Sequence, residues 1–258
     1  MKMLSDLANE IVNAYTREAI PPLRHKADDT SVEVAYQIQD INTELWLEQG
    51  RKLIGRKIGL TSKAVQEQLG VDQPDYGMIW ADSHIESNGT TSMSHYLQPK
   101  VEAEIAFVLN TDLSHKDISM SDLIHAIDYA SPALEIVDSR IADWDITLFD
   151  TIADNASYGA IVMGEQQTAL DEIDLVECKM QLTENGQVVS EGNGAACMGN
   201  PLNASLWLAN IMVDNGRPLQ AGDIILSGAL GAMVNAKNNS NYTASIEGLG
   251  EVVVNFGD

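Results

Sequence analysis

Apolar residues recur at helical spacing through Leu4, Leu7, Ala8, Ile11, Val12 and Tyr15, and Pro21-Pro22 interrupts the run. This predicts an amphipathic helix near the start of the chain. A second helix is expected from a capping box of Thr30 with Glu33, carrying Ala35, Ile38, Ile41 and Leu45 inward and ending near Gly50. From residue 52 the pattern turns to strands. Residues 52–60, 101–109, 133–137 and 159–163 read as strands, and Val176, Cys178, Met180 and Leu182 alternate with polar residues up to Asn185-Gly186, a hairpin signal. Asn200-Pro201 supplies a cap and a first-turn proline for a helix through Leu206, Ala209 and Val213, closed by Gly216. Residues 223–234 and 243–256 read as strands again. Mixed or antiparallel sheet with helices outside it is an α+β class. With no internal repeat and no Pro/Gly/Ser linker, a single domain is expected over 1–258, with a helical layer at 1–50 and a β-rich core at 51–258.

Composition narrows the partners. The 258 residues are 45% hydrophobic and 21% charged, close to the globular average. The 38 Asp and Glu against 15 Lys and Arg give a net charge of -23, which repels phosphate backbones and anionic lipid heads. Nucleic acid and membrane partners are therefore not expected. The longest nearly apolar stretch, 224–234, is broken by Ser227 and by glycines and is shorter than the roughly 20 residues of a membrane span. Asp6 and Glu10 interrupt any signal-peptide pattern, so a cytoplasmic location is expected, with Cys178 and Cys197 reduced and buried. The histidines at 25, 84, 95, 115 and 125 have no zinc-binding spacing.

The most informative segment is 101–109, where period-2 geometry puts Glu102 and Glu104 on one face of a strand, about 6.5–7 Å apart at Cα. A solvated face is the ordinary reading of such a pair. Here the same face continues through Ala106 and Val108, so the two carboxylates enter a partly apolar site. Like charges there raise each other's pKa unless a cation neutralises them. Glu135, between Ala133 and Val137 on its own face, is a third acid in an apolar strand; an ion pair with Arg140 is the competing explanation. Three carboxylates without histidine favour Mg²⁺ or Mn²⁺ over zinc. Lys57 has Gly55 and Gly59 as same-face neighbours, which leaves room for a small ligand, although an edge-strand lysine is the commoner case. Asp75, in the turn composition Asp72-Gln73-Pro74-Asp75-Tyr76-Gly77, is by itself a weak candidate. Gly228 and Gly231 permit either close approach to an anion or a tight turn. No nucleotide-binding glycine pattern is present.

Several ordered motifs carry a resemblance: AIPPLR at 19–24, GRKIGLTS at 55–62, GVDQPDYG at 70–77, PKVEAEIAFVL at 99–109, PALEIVDSR at 132–140, IADNAS at 152–157, NPLNA at 200–204 and ILSGALG at 225–231. Over nearly its whole length the chain resembles the 2-oxopent-4-enoate (2-hydroxypenta-2,4-dienoate) hydratase family of the fumarylacetoacetate hydrolase superfamily. The resemblance implies a mixed β-sandwich or roll with peripheral helices, assembled as a homo-oligomer. It also implies a divalent metal on Glu102, Glu104 and Glu135, a proton-handling pair in Lys57 and Asp75, and substrate contacts from Asn155 and Ser227. The expected reaction adds water to a small 2-hydroxydienoic (2-oxo) acid, giving 4-hydroxy-2-oxopentanoate in aromatic meta-cleavage catabolism. Association with a sister decarboxylase or a downstream aldolase is compatible with it. Sister decarboxylases acting on 4-oxalocrotonate share the metal motif, and Val137-Asp138-Ser139-Arg140 is similar to theirs. DQPDYG and SGALG favour the hydratases. A hydratase of a longer dicarboxylate and a non-catalytic assembly subunit are the further alternatives.

Overall fold

The computed structural model describes residues 3–62, Gln66 and 73–257. Both N-terminal helices form where the spacing predicted them: α1 (Leu4–Ala14) buries Leu7, Ala8, Ile11 and Ala14, and α2 (Val32–Glu48) buries Ala35, Ile38 and Trp46. The cap of α2 differs from expectation. Ser31, not Thr30, is the N-cap, and its hydroxyl accepts the Val34 N–H, which places Glu33 one residue too early for a reciprocal capping box. The two helices share a small core with Leu23, Ile141, Phe149 and Ile152.

Thirteen strands form among the described residues: β1 (Leu53–Gly59), β2 (Asp75–Trp80), β3 (His84–Glu86), β4 (Gly89–Thr91), β5 (Lys100–Leu109), β6 (Ile127–Val137), β7 (Tyr158–Met163), β8 (Lys179–Glu184), β9 (Gln187–Asn193), β10 (Ile224–Ala229), β11 (Val234–Asn235), β12 (Ser240–Ile246) and β13 (Gly250–Phe256). The helices α3 (Met120–Ala126), α4 (Leu148–Ala153) and α5 (Pro201–Asp214) lie between them. One sheet runs β2-β1-β10-β5-β6-β7-β3 with β11 added on β5, and the second runs β4-β13-β12-β8-β9. Both are mixed: β1 is parallel to β10, β3 to β7 and β4 to β13, and the other pairs are antiparallel. The α+β class is as expected, and the main core is formed by the facing sheets with α3 and α5.

Several strands depart from the predicted bounds: the stretch expected over 223–234 is divided into β10 and β11, β12 begins at Ser240, and β6 and β8 shift their starts. β6 continues upstream through Pro132, because the β6–β7 ladder begins at Ala133 opposite Met163 and the proline sits just beyond it, where its missing N–H breaks no ladder bond. β8 starts at Lys179, since Asp174 Oδ1 accepts the Val176 and Glu177 N–H groups and holds that stretch as a turn. The hairpin at Asn185-Gly186 has both residues at positive φ (51° and 78°), as a type I′ turn requires. Asn200 caps α5 with Pro201 in its first turn.

Candidate active site

Strand register gathers the predicted acids. β5 and β6 are antiparallel with Glu102 opposite Glu135 and Glu104 opposite Ala133, so the three carboxylates share one face. Lys57 is level with Leu226 of β10, which is level with Ala106 of β5, and its side chain joins the same face. β1 lies between β2 and β10, so Lys57 is not an edge-strand lysine. Its Nζ is 3.1 Å from Oε1 of Glu135 and donates to the Ala156 carbonyl at 2.9 Å. Arg140 takes Asp154 as its partner instead, at 2.6 Å, so the expected alternative of a Glu135–Arg140 pair does not form.

The glycines beside Lys57 serve packing within the protein. A Cβ on Gly55 would overlap the Ile224 backbone, and one on Gly59 would overlap Oδ1 of Asp75 and lie 3.6 Å from Lys57 Nζ. Gly59 pairs with Asp75 across the β1–β2 ladder. The space read in the sequence as room for a ligand therefore admits the Asp75 carboxylate to the lysine. The Gly70–Asp72 part of that motif lies outside the described residues.

These groups border a cavity of about 470 Å³. Lys57, Asp75, Glu102 and Glu104 give it a charged end; Ile58, Leu60, Val137, Trp144, Ile146 and Met233 are among its apolar walls. Glu104 is 1% exposed and Glu135 fully buried, and Glu104 Oε2 accepts the Gly228 N–H at 2.9 Å. That glycine has a φ of +109°, and a Cβ there would overlap Thr61.

The electrostatics is that of an acid cluster short of positive charge. Burial, then repulsion from Glu135, pushes Glu102 up to about 7. Glu104 is raised well above the carboxylate range by burial and by Glu135 and Glu102, and Glu135 is raised by burial against the opposing pull of Lys57. Burial alone would lower Lys57, but Glu135, Asp75, Glu102 and Glu104 together carry it above its ordinary value. Asp75 is raised by burial, with Lys57 opposing. Neither oxygen of Glu135, nor Oδ1 of Asp75, accepts a well-directed hydrogen bond. Such buried, mutually repelling oxygens fit a hard cation. The three glutamates are neighbours rather than a closed shell: no three acid, histidine or cysteine side chains among the described residues surround a common point, Glu135 being turned onto Lys57.

The two predicted substrate contacts are placed differently. Asn155 is buried with its amide spent on β2: Oδ1 accepts the Met78 N–H at 2.7 Å and Nδ2 donates to the Met78 carbonyl at 2.9 Å. Ser227 is fully buried in β10, its Oγ without a partner and its carbonyl accepting from Cys197 Sγ at 2.8 Å. Neither side chain borders the cavity. Other residues do, without having been singled out from the sequence: Thr61, Trp144, Ser157 and Met233, with Ala156 contributing its carbonyl to Lys57. Asn155, Ala156 and Ser157 all lie in the left-handed region, at φ of 55°, 52° and 54°, a conformation costing roughly 1–2 kcal/mol per non-glycine residue.

The fumarylacetoacetate (FAA) hydrolase C-terminal family model matches residues 52–256. The chain is 50% identical over 256 residues to 2-keto-4-pentenoate hydratase 2 of Dechloromonas aromatica, covering 98% of each. It is 52% identical over 237 residues to a 2-keto-4-pentenoate hydratase of Burkholderia vietnamiensis, covering 92% of this chain and 90% of that one. Among solved structures it is similar to 4-oxalocrotonate decarboxylase from Pseudomonas putida G7 complexed with magnesium and adipate, at TM-score 0.94 and 33% identity, covering 98% of this chain and 97% of the other.

Proposed function

The chain belongs to the fumarylacetoacetate hydrolase family, in its 2-keto-4-pentenoate hydratase branch, and we propose that it is a divalent-metal-dependent hydro-lyase converting 2-hydroxypenta-2,4-dienoate to 4-hydroxy-2-oxopentanoate. The observation that carries this reading is the meeting of Lys57, Asp75, the half-buried Glu102 and the buried Glu104 at a largely apolar cavity, with the buried Glu135 behind them against Lys57. Identity favours hydratase over decarboxylase: 50% and 52% to the two hydratases against 33% to the decarboxylase. The predominantly apolar lining agrees, because it suits an uncharged C5 end better than a second carboxylate.

Glu102, Glu104 and Glu135 would hold Mg²⁺ or Mn²⁺. The ion, when bound, supplies a Lewis acid for the carboxylate and C2 oxygen of a 2-oxo acid. The protein's own groups handle the protons. Lys57, kept charged by its carboxylate neighbours and anchored on the Ala156 carbonyl, takes part in moving the enol proton to C5, which leaves a 2-oxo-3-enoate electrophilic at C4. Asp75, with Oδ1 free of hydrogen bonds, steers or deprotonates the water whose hydroxyl adds at C4 while C3 gains a proton. Ile58, Trp144, Ile146 and Met233 give the substrate an apolar lining.

The test follows the dienol's ultraviolet absorbance with added Mg²⁺, with Mn²⁺ and with chelator, and identifies the product by NMR. Metal-dependent formation of 4-hydroxy-2-oxopentanoate is expected. Release of carbon dioxide from 4-oxalocrotonate with no hydration of the dienoate would overturn the reading.

A further inference from the structure

The cluster around Lys57 contains a structural device that the proton-handling groups do not themselves explain. Residues 155–157 make three consecutive left-handed conformations without a glycine among them, and the surrounding structure holds them from three sides. On one side, both ends of the Asn155 amide are bonded to the backbone of Met78 in β2. On the second, the turn rests on Gly77, where a Cβ would overlap the Asn155 carbonyl and lie 3.2 Å from the Ala156 Cβ. On the third, the buried Arg140 spans both flanks, bonding to the Asp154 carboxylate and carbonyl and to the Tyr158 carbonyl. Gly77 is the register partner of Lys57, so the turn is pressed against β2 directly beside the lysine, and the Ala156 carbonyl points at its ammonium at 2.9 Å. Strain of this kind persists only where neighbours over-determine it.

We propose that Asn155 is a positioning residue: by clamping the left-handed turn to Met78 it holds the Ala156 carbonyl on Lys57, and so fixes the ammonium for proton transfer. The inference rests on the assignment of Lys57 as the proton-handling group. Asn155 acts here through the backbone and makes no substrate contact, which separates this role from the one implied by sequence resemblance. Because the Ala156 carbonyl cannot be removed by a side-chain substitution, the clamp is the place to intervene.

Asn155→Gly keeps left-handed backbone accessible without steric cost and removes only the two amide bonds. Gly77→Ala displaces the same turn from the β2 side and serves as the second variant. In the full chain with Mg²⁺ and 2-hydroxypenta-2,4-dienoate, each variant is expected to lose at least tenfold in kcat, with KM and the Mg²⁺ dissociation constant within about threefold of wild type. A direct reading of the lysine accompanies the kinetics: reductive methylation of Lys57, followed by peptide mass spectrometry, is expected to run at least threefold faster in the variants. A tenfold rise in KM with kcat intact would overturn the proposal in favour of a substrate contact. Unchanged kcat and unchanged Lys57 labelling would overturn it outright. Absence of turnover by wild-type protein would sink the assigned reaction instead, and the labelling rates alone would then decide whether the clamp holds Lys57.

Discussion

Replacing Gly59 by alanine perturbs the site while leaving every charged side chain of the site in the sequence. The β1 backbone at Gly59 has no positive φ, so alanine is conformationally acceptable there. The new Cβ, however, would overlap Oδ1 of Asp75 and lie 3.3 Å from its Cγ and 3.6 Å from Lys57 Nζ. To regain an ordinary van der Waals separation the carboxylate must retreat by about 1 Å. A misplacement of that size costs about 10²-fold in rate when the displaced group takes part in the chemistry, or about 2.7 kcal/mol of transition-state stabilisation. The stability cost should be smaller, about 1–3 kcal/mol for one added methyl in a packed interior. Steady-state kinetics on the dienol, with urea denaturation of the same sample, reads both. Gly59→Ala is expected to fold, to bind Mg²⁺ and to lose about two orders of magnitude in kcat/KM. A folded variant within threefold of wild type would refute the placement of Asp75 beside the reacting water.

Other consequences are structural. Arg140→Ala should destabilise the chain by about 3–5 kcal/mol in urea titrations, because it leaves Asp154 buried without its cation; a loss under 1 kcal/mol would contradict the staple described for the turn. Cys197 is pushed up to about 12 by burial, so its reactive thiolate is scarce in the native protein at pH 8. A thiol reagent should therefore label neither buried cysteine in native protein and both after denaturation. With its pKa raised in the folded state, this thiol's contribution to stability is complete below its ordinary pKa and is lost as pH climbs toward 12. Gly186→Ala, at φ +78° with open space around it, should cost about 1 kcal/mol through the hairpin backbone alone; an unchanged midpoint would show the turn to be more tolerant than its φ requires.

Much of the site was legible because sheet geometry is periodic. Glu102 and Glu104 had to share a face at period two, and Glu135 stood out as an acid in an apolar strand. That Glu102 and Glu135 are opposite each other depends on the β5–β6 register, which sequence spacing does not determine. The Asn185-Gly186 hairpin and the Asn200-Pro201 cap were legible because local backbone chemistry specifies them. The glycines flanking Lys57 read in the sequence as room for a ligand, whereas Gly59 makes room for Asp75, a contact between strands that no local pattern announces. The left-handed turn at 155–157 was invisible for a similar reason. No glycine marks it, and the bonds that enforce it come from Met78 and Arg140, far away in sequence. Asn155 and Ser227, expected at the substrate, are buried next to residues that line the cavity and are not themselves among its lining. The β8 boundary and the α2 cap differ because Asp174 and Ser31 offer side-chain oxygens that compete with the periodic pattern.

The proposed metal dependence rests on Glu102, Glu104 and Glu135 carrying more negative charge than Lys57 can offset, so that together they would collect a hard divalent ion. Titration of metal-free protein with Mn²⁺, monitored by electron paramagnetic resonance of the free ion, tests it most directly when wild type is compared with Glu104→Gln. One site per chain is expected in wild type and at least hundredfold weaker binding in the variant, with the fold retained. Equal Mn²⁺ affinity in the two proteins, or no saturable site in wild type, would contradict it.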